Sequence, residues 1–390
     1  MLAITCGKIF PVTSPAIENG VILVEDGKIK AVGPAAEVAI PEGAEILDAS
    51  GRWVYPGFVE AASHIGANRQ PSDFSESLTD GHHDGIDGSH PLLPHLRIRD
   101  SINPQDNTIK WVFGSGVTTA FVAAGPISLI DGAGVAIKIK AAETVDELLI
   151  EGSEQMCFTM GDEAMKAFKR KKQPPLTRMA AMDMLREALD GARDYGAKPA
   201  DERKPDKKME ALLPVVNGEM TARFECLRAD DIVAAVKLAE DYHLRYSIVG
   251  GFEGHLVKDF LARHHAPVIM EAVPFGPERC MPMIDLFDFS LETASVLEKG
   301  GNLAAITVNE NGQTRRLPIL AGFTTAYGVD EETALACITI RPAEQLGLAD
   351  RIGSLEPGKD ADIAIFDGNA LSNMSLCKTV LVDGQIVYQG

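Results

Sequence analysis

The sequence predicts an α/β protein, a (β/α)8 TIM barrel carrying a small composite β-sandwich built from both termini. Two observations predict this fold. Asp-Gly hairpins stand at opposite ends of the 390-residue chain, and strands alternate with helices through most of the length between them. A third observation is negative: no Gly-x-Gly-x-x-Gly follows an early strand, which disfavours a doubly wound open sheet. The expected division is residues 1–55 and 352–390 for the composite sandwich and 56–351 for the barrel. Separate N- and C-terminal lobes are the plainer alternative to a composite domain.

Taken in order, residues 2 to 54 read as short strands. Val21 to Gly33 is a hairpin turning at Asp26-Gly27, a dipeptide suited to two-residue turns. Gly116 to Val122 and Val135 to Ile139 read as strands, the second followed by a helix start at Thr144 with Glu147 completing a capping box. Pro175 to Tyr195 is a long helix with Met179, Met182, Leu185 and Leu189 at helical spacing, a stripe more often core than cofactor face. Gly196 to Lys208 is rich in Lys, Asp and Pro and reads as a solvated loop. Strands follow at 221–226, 245–249, 267–270 and 303–308, with helices from Asp230 to Tyr242 and through Leu256 to Arg263. Thr379 to Tyr388 repeats the hairpin, turning at Asp383-Gly384.

The bulk properties narrow the partners. A formal charge of −19 argues against nucleic acid or an anionic membrane as a partner. Six scattered cysteines without a Cys-x-x-Cys pair suit reduced thiols. With no leader pattern and no membrane-length apolar run, the expectation is a cytoplasmic protein.

Three stretches carry a family resemblance. Pro56-Gly57-Phe58 closes an apolar run and leads to Glu60, Ala62 and His64; Ile338 to Leu348 leads into the run from Arg351 to Ile365. Together with the two hairpins, these resemble the metal-dependent amidohydrolase superfamily, in the branch of imidazolonepropionase-like and related cyclic-amide hydrolases. The resemblance covers essentially the whole chain and implies the barrel, with its site at the C-terminal ends of the strands. It also implies one or two divalent metals that activate water and polarise the scissile carbonyl. Their ligands in the family are a His-x-His pair, often a modified Lys, two further His and a last-strand Asp.

The sequence departs from that set at several strands. The family's first Asp position holds Glu60 and its first His position Ala62, leaving His64. The next expected His falls among Glu225, Cys226 and Leu227, another at Gly250, and the last-strand Asp at Val308-Asn309. Lys138 matches the place of the modified Lys, an unmodified structural lysine being the plainer reading. Catalytic zinc needs three protein ligands, and a structural four-ligand site is worth about 10–16 kcal/mol, so losing several ligands should abolish binding. The resemblance therefore implies a barrel without a metal cofactor: a non-hydrolytic small-molecule-binding, partner or assembly subunit. Its candidate pocket comprises His64, Lys138, Glu225, Arg228 and Asn309. The expected ligand is a small cyclic amide or its relative, in a homo-oligomer or beside an intact homologue. The alternative is a metal-dependent hydrolase of cyclic-amide carbon–nitrogen bonds with an altered centre.

Other chemistry is conceivable. The run Asp80 to His90 offers His82, His83, Asp84, Asp87 and His90 as ligands, although its glycines and lack of helical spacing suit a solvated loop. Glu225, Glu253 and His255 suggest a metal-free acid/base group, but Glu253 is also a common first-turn residue. Cys226 should face away from the mouth as an inert thiol. No Gly-x-Ser-x-Gly or P-loop pattern appears.

Overall fold

The computed structural model describes residues 1–67, 84–271, 288, 290–309 and 313–390. Four strands open the chain: β1 (Leu2–Ile9), β2 (Ile17–Glu25), β3 (Lys28–Pro34) and β4 (Glu45–Pro56). Three close it: β13 (Ile363–Phe366), β14 (Cys377–Val382) and β15 (Gln385–Gln389). All seven join one sheet in the order β15-β14-β13-β4-β1-β2-β3. The two ends therefore share one sheet, where the hairpins alone suggested a sandwich. Both turns fall at the Asp-Gly pairs, with Asp26 and Asp383 at φ of 51° and 50°, as a two-residue turn between twisted strands requires. Ile4, Ile22, Val54, Ile363 and Leu381 form the core on one face of this sheet.

The second sheet runs β5 (Phe58–Ser63), β6 (Val117–Val122), β7 (Ile130–Lys138), β8 (Gln155–Thr159), β9 (Ala222–Cys226), β10 (Tyr246–Gly250), β11 (Val268–Glu271) and β12 (Leu303–Thr307), each hydrogen-bonded to the next. It curls into a nearly closed eight-stranded barrel. At the seam, Ile306 N–H donates to the Cys337 carbonyl (2.9 Å) and Val59 N–H to the Ile338 carbonyl (2.8 Å), so the turn at 337–338 wedges between β12 and β5. Helices such as Ala229–Asp241, with Ile232, Val236 and Ala239 buried, cover the outside.

One departure from the expected βα repeat is topological. Strand β7 pairs antiparallel with both β6 and β8. The seven residues 123–129 between β6 and β7 contain no helix, and a connection this short can only return the chain antiparallel. Because β7 runs backwards, its C-terminal Lys138 lies opposite Thr119, near the start of β6, while Ile130 lies opposite Phe158 near the end of β8.

Local readings shift too. The capping box at Thr144 and Glu147 forms but caps only a single 3-10 turn, Val145–Glu147. The long helix is Arg178–Ala197, and its buried face is Ala181, Leu185, Ala188, Leu189, Ala192 and Tyr195. Met179 lies 80% exposed, so the methionine stripe is only partly core. The run read as a loop ends early, because the Asp206 carboxylate accepts from Lys208 N (3.0 Å) and Met209 N (3.2 Å) and starts the helix Lys207–Val216. The helix Asp162–Arg170 was hidden in a Lys/Arg-rich stretch without a side-chain cap.

Candidate functional site

The C-terminal ends of the parallel strands form the mouth of the barrel. One layer beneath it lies Arg223, on β9 two residues before Glu225. Its guanidinium sits 4.2 Å from the Phe121 ring and donates to Gln155 Oε1 (3.0 Å) and the Ala61 carbonyl (2.7 Å). Burial pushes its pKa down to about 10. A cation thus fills the barrel below the mouth, while the ionisable groups at the mouth are chiefly acids.

Glu60, at the position for which the resemblance implied an Asp, does seam work. It accepts hydrogen bonds from the Thr307 hydroxyl, Val308 N–H (3.2 Å) and Ala62 N–H (3.3 Å), tying β5 to the end of β12. Burial pushes its carboxyl up to about 7, against the lowering by these donors. Asp131, at the start of β7, accepts from Ser128 N–H (2.8 Å), Ile127 N–H (3.0 Å) and the Thr159 hydroxyl (2.7 Å). It too is pushed up to about 7 by burial, with the charge of Glu225 adding. Glu271, buried at the end of β11, is a further acid of this layer. Asp131 escaped sequence reasoning because the strand it opens seemed to begin at Val135; the Gly125-Pro126 turn before it was the available signal.

The structure separates the expected pocket residues. His64 is buried just past β5, its Nδ1–H donating to the Ala123 carbonyl (3.1 Å), which leaves Nε2 as the ring nitrogen able to accept. Glu225 is at the mouth, where its charge reaches Asp131. Asn309 lies 1% exposed beyond β12 at φ 53°, with neither Oδ1 nor Nδ2 hydrogen-bonded among the described residues. Arg228 is turned to Asp230 (3.0 Å) on the next helix. Lys138 is not in this pocket. At the opposite end of the barrel its Nζ meets Asp362 Oδ2 (2.8 Å), Asp360 Oδ2 (2.9 Å) and Asp383 Oδ1 (3.0 Å), a correction that follows from the reversal of β7.

The positions implied for metal ligands are closely packed. Ala62 is buried against Ala61, Val249, Ile269 and Ala305. Gly250 has φ 95°, and a Cβ there would stand 2.6 Å from Leu227 Cδ2 and 3.2 Å from the Cys226 carbonyl oxygen. No side chain fits at 250 unless Leu227 moves. Among the described residues, no three His, Cys, Asp or Glu side chains converge to hold an ion. These residues do not make the ligand set the family's centre needs.

In the loop from Asp80 to His90, His82 and His83 lie outside the described residues. Asp87 Oδ1 accepts from Ser89 N–H (2.8 Å), and hydrogen bonding from the Ser89 side chain, with this backbone bond adding, holds its carboxyl below the usual range; His90 Nδ1 accepts from Leu92 N–H (3.1 Å). Glu253 bridges elements, accepting from Ala229 N–H (2.8 Å) and Asp288 N–H (3.1 Å). His255 meets the Thr293 hydroxyl at 3.0 Å. Cys226 is buried, and burial raises its thiol pKa well above the usual value. Among the described residues, no helix is long and apolar enough to cross a membrane.

Comparison with known proteins agrees with this architecture. The Amidohydrolase family profile matches residues 308–388. Amidohydrolase tasK of Hapsidospora irregularis is 26% identical over 94% of this chain, which spans only 39% of that protein's length. Imidazolonepropionase of Clostridium tetani is 25% identical, with 96% of this chain and 91% of that protein covered. The crystal structure of an amidohydrolase from Thermotoga maritima superposes over the whole of both chains with a TM-score of 0.88 and 28% identity. The barrel, the shared terminal sheet and these likenesses all point to similarity with the amidohydrolase superfamily.

Proposed function

We propose that this protein is a non-hydrolytic amidohydrolase-like subunit whose barrel mouth binds a small cyclic amide without the family's metal centre. The observation that carries the reading is Asn309. Its carboxamide is buried without a hydrogen-bond partner among the described residues, and each unmet polar group of this kind costs about 1–3 kcal/mol. A ring constrains its amide to the cis form, which sets N–H and C=O side by side. That edge matches a carboxamide, which offers one donor and one acceptor in the same spacing. Ala62, and Leu227 packed over Gly250, support the absence of a family-type centre. Assembly with itself or with a catalytically intact homologue belongs to the same proposal, and light scattering alone and with such a homologue tests it.

The second reading is hydrolysis of a cyclic-amide carbon–nitrogen bond, favoured by the imidazolonepropionases among the relatives. Elemental analysis of protein purified without chelator or affinity metal separates the two. The proposal expects well under one equivalent of zinc, manganese or iron, and calorimetric binding of hydantoin that survives chelator and weakens at least tenfold in Asn309→Ala. One equivalent of metal with chelator-sensitive ring opening of hydantoin would overturn it.

A further inference from the structure

A cleft lies where the segment before β6 meets the last strand of the terminal sheet. Its walls are the segment Lys110–Ser115, which precedes β6, the C-terminal strand at Tyr388, and Arg315. Its volume is about 430 Å³, within the range of small-molecule sites, about 300–1,000 Å³. Three features give it a chemistry. Trp111 is 53% exposed beside it, although an indole is normally largely buried. The Tyr388 ring lies so close over Gly114 that a Cβ there would stand 2.8 Å from it, so the glycine allows the ring to form a wall. Lys110 and Arg315, both exposed, bring two cations into a chain of charge −19, and neither has an ion-pair partner among the described residues.

In a protein with 56 acidic residues against 37 basic ones, a lysine and an arginine without an ion-pair partner among the described residues make one aromatic cleft locally favourable to negative charge. We propose that this cleft binds a small aromatic anion: a flat ring against Trp111 and Tyr388, with a carboxylate or phosphate between Lys110 and Arg315. Ring stacking supplies apolar contact and the paired cations fix the anionic end. Neither group alone suffices, because the cleft is open to water and a lone exposed ion pair is weak.

The test is tryptophan fluorescence of the full chain, which has only two tryptophans. Trp53 packs at a tilt of 40° against Phe10, with centroids 5.1 Å apart, and should stay constant. Adenosine monophosphate and indole-3-acetate should each quench Trp111 saturably, whereas adenosine and inorganic phosphate should bind at least tenfold more weakly. The double variant Lys110→Ala/Arg315→Ala should weaken both anions at least tenfold while leaving the thermal midpoint unchanged. Gly114→Val, which displaces Tyr388, should weaken the ring contribution. Absence of saturable quenching by either anion up to 10 mM, or equal affinity in the double variant, overturns the proposal.

Discussion

The two ends of the barrel bury charge in opposite ways. At the end facing the terminal sheet, Lys138 is held by three carboxylates, with Lys28, Lys140 and Arg351 joining the outer side of the cluster. There the charges satisfy one another: Lys138 holds Asp360 and Asp383 below the usual carboxylate range, and burial lifts only Asp362. At the mouth, Glu60 and Asp131 have no cation within ion-pair distance among the described residues, and burial lifts both to about 7. Paired charge locks the barrel onto its sheet. Unpaired carboxyls are held only by neutral donors, and they remain sensitive to pH and to whatever enters the mouth.

The largest expected effect comes from breaking the paired end. Lys138→Met leaves Asp362 buried without its cation and takes one of three cations from Asp360, and should cost about 3–5 kcal/mol in chemical denaturation. A loss below about 1 kcal/mol would show that the two ends are not different in kind. The mouth should respond differently. A carboxyl whose folded pKa exceeds its unfolded value holds its proton more tightly when folded. It therefore favours the fold at low pH and loses that advantage as pH rises through the window from about 4 to 7. Glu60→Gln/Asp131→Asn removes this term. Its stability relative to the parent chain should improve between pH 5 and pH 8, by on the order of 3 kcal/mol for each carboxyl. A parallel pair of stability curves over that range would refute the assignment.

The smallest effect sharpens the comparison within the mouth. Gly250→Ala forces a Cβ against Leu227 at a left-handed φ, and should destabilise by about 1–3 kcal/mol. If Leu227 is what fills the expected ligand space, Leu227→Ala should recover part of that loss, as a double-mutant cycle reads directly. Strict additivity would mean that the backbone angle alone sets the cost.

Much of this arrangement was legible in the residues. Asp26-Gly27 and Asp383-Gly384 marked both hairpins, because few sequences tolerate the angles of a two-residue turn. Pro56-Gly57-Phe58 marked the entry to β5, and the apolar period of Asp230 to Tyr242 marked its helix. Met179 misled because a helical stripe reveals amphipathic spacing but not which way the helix is rotated on the barrel.

What the sequence determined by itself was local and compositional: turn chemistry, strand and helix periodicity, and the acidic charge. What only the tertiary structure decided was which residues meet. Reversal of β7 carried Lys138 from the expected pocket to the far end and brought Asp131 to the mouth, because strand direction depends on what the short 123–129 connection can reach in space. Leu227 packed over Gly250 is likewise a contact between neighbouring strand ends, and no spacing along a chain specifies it.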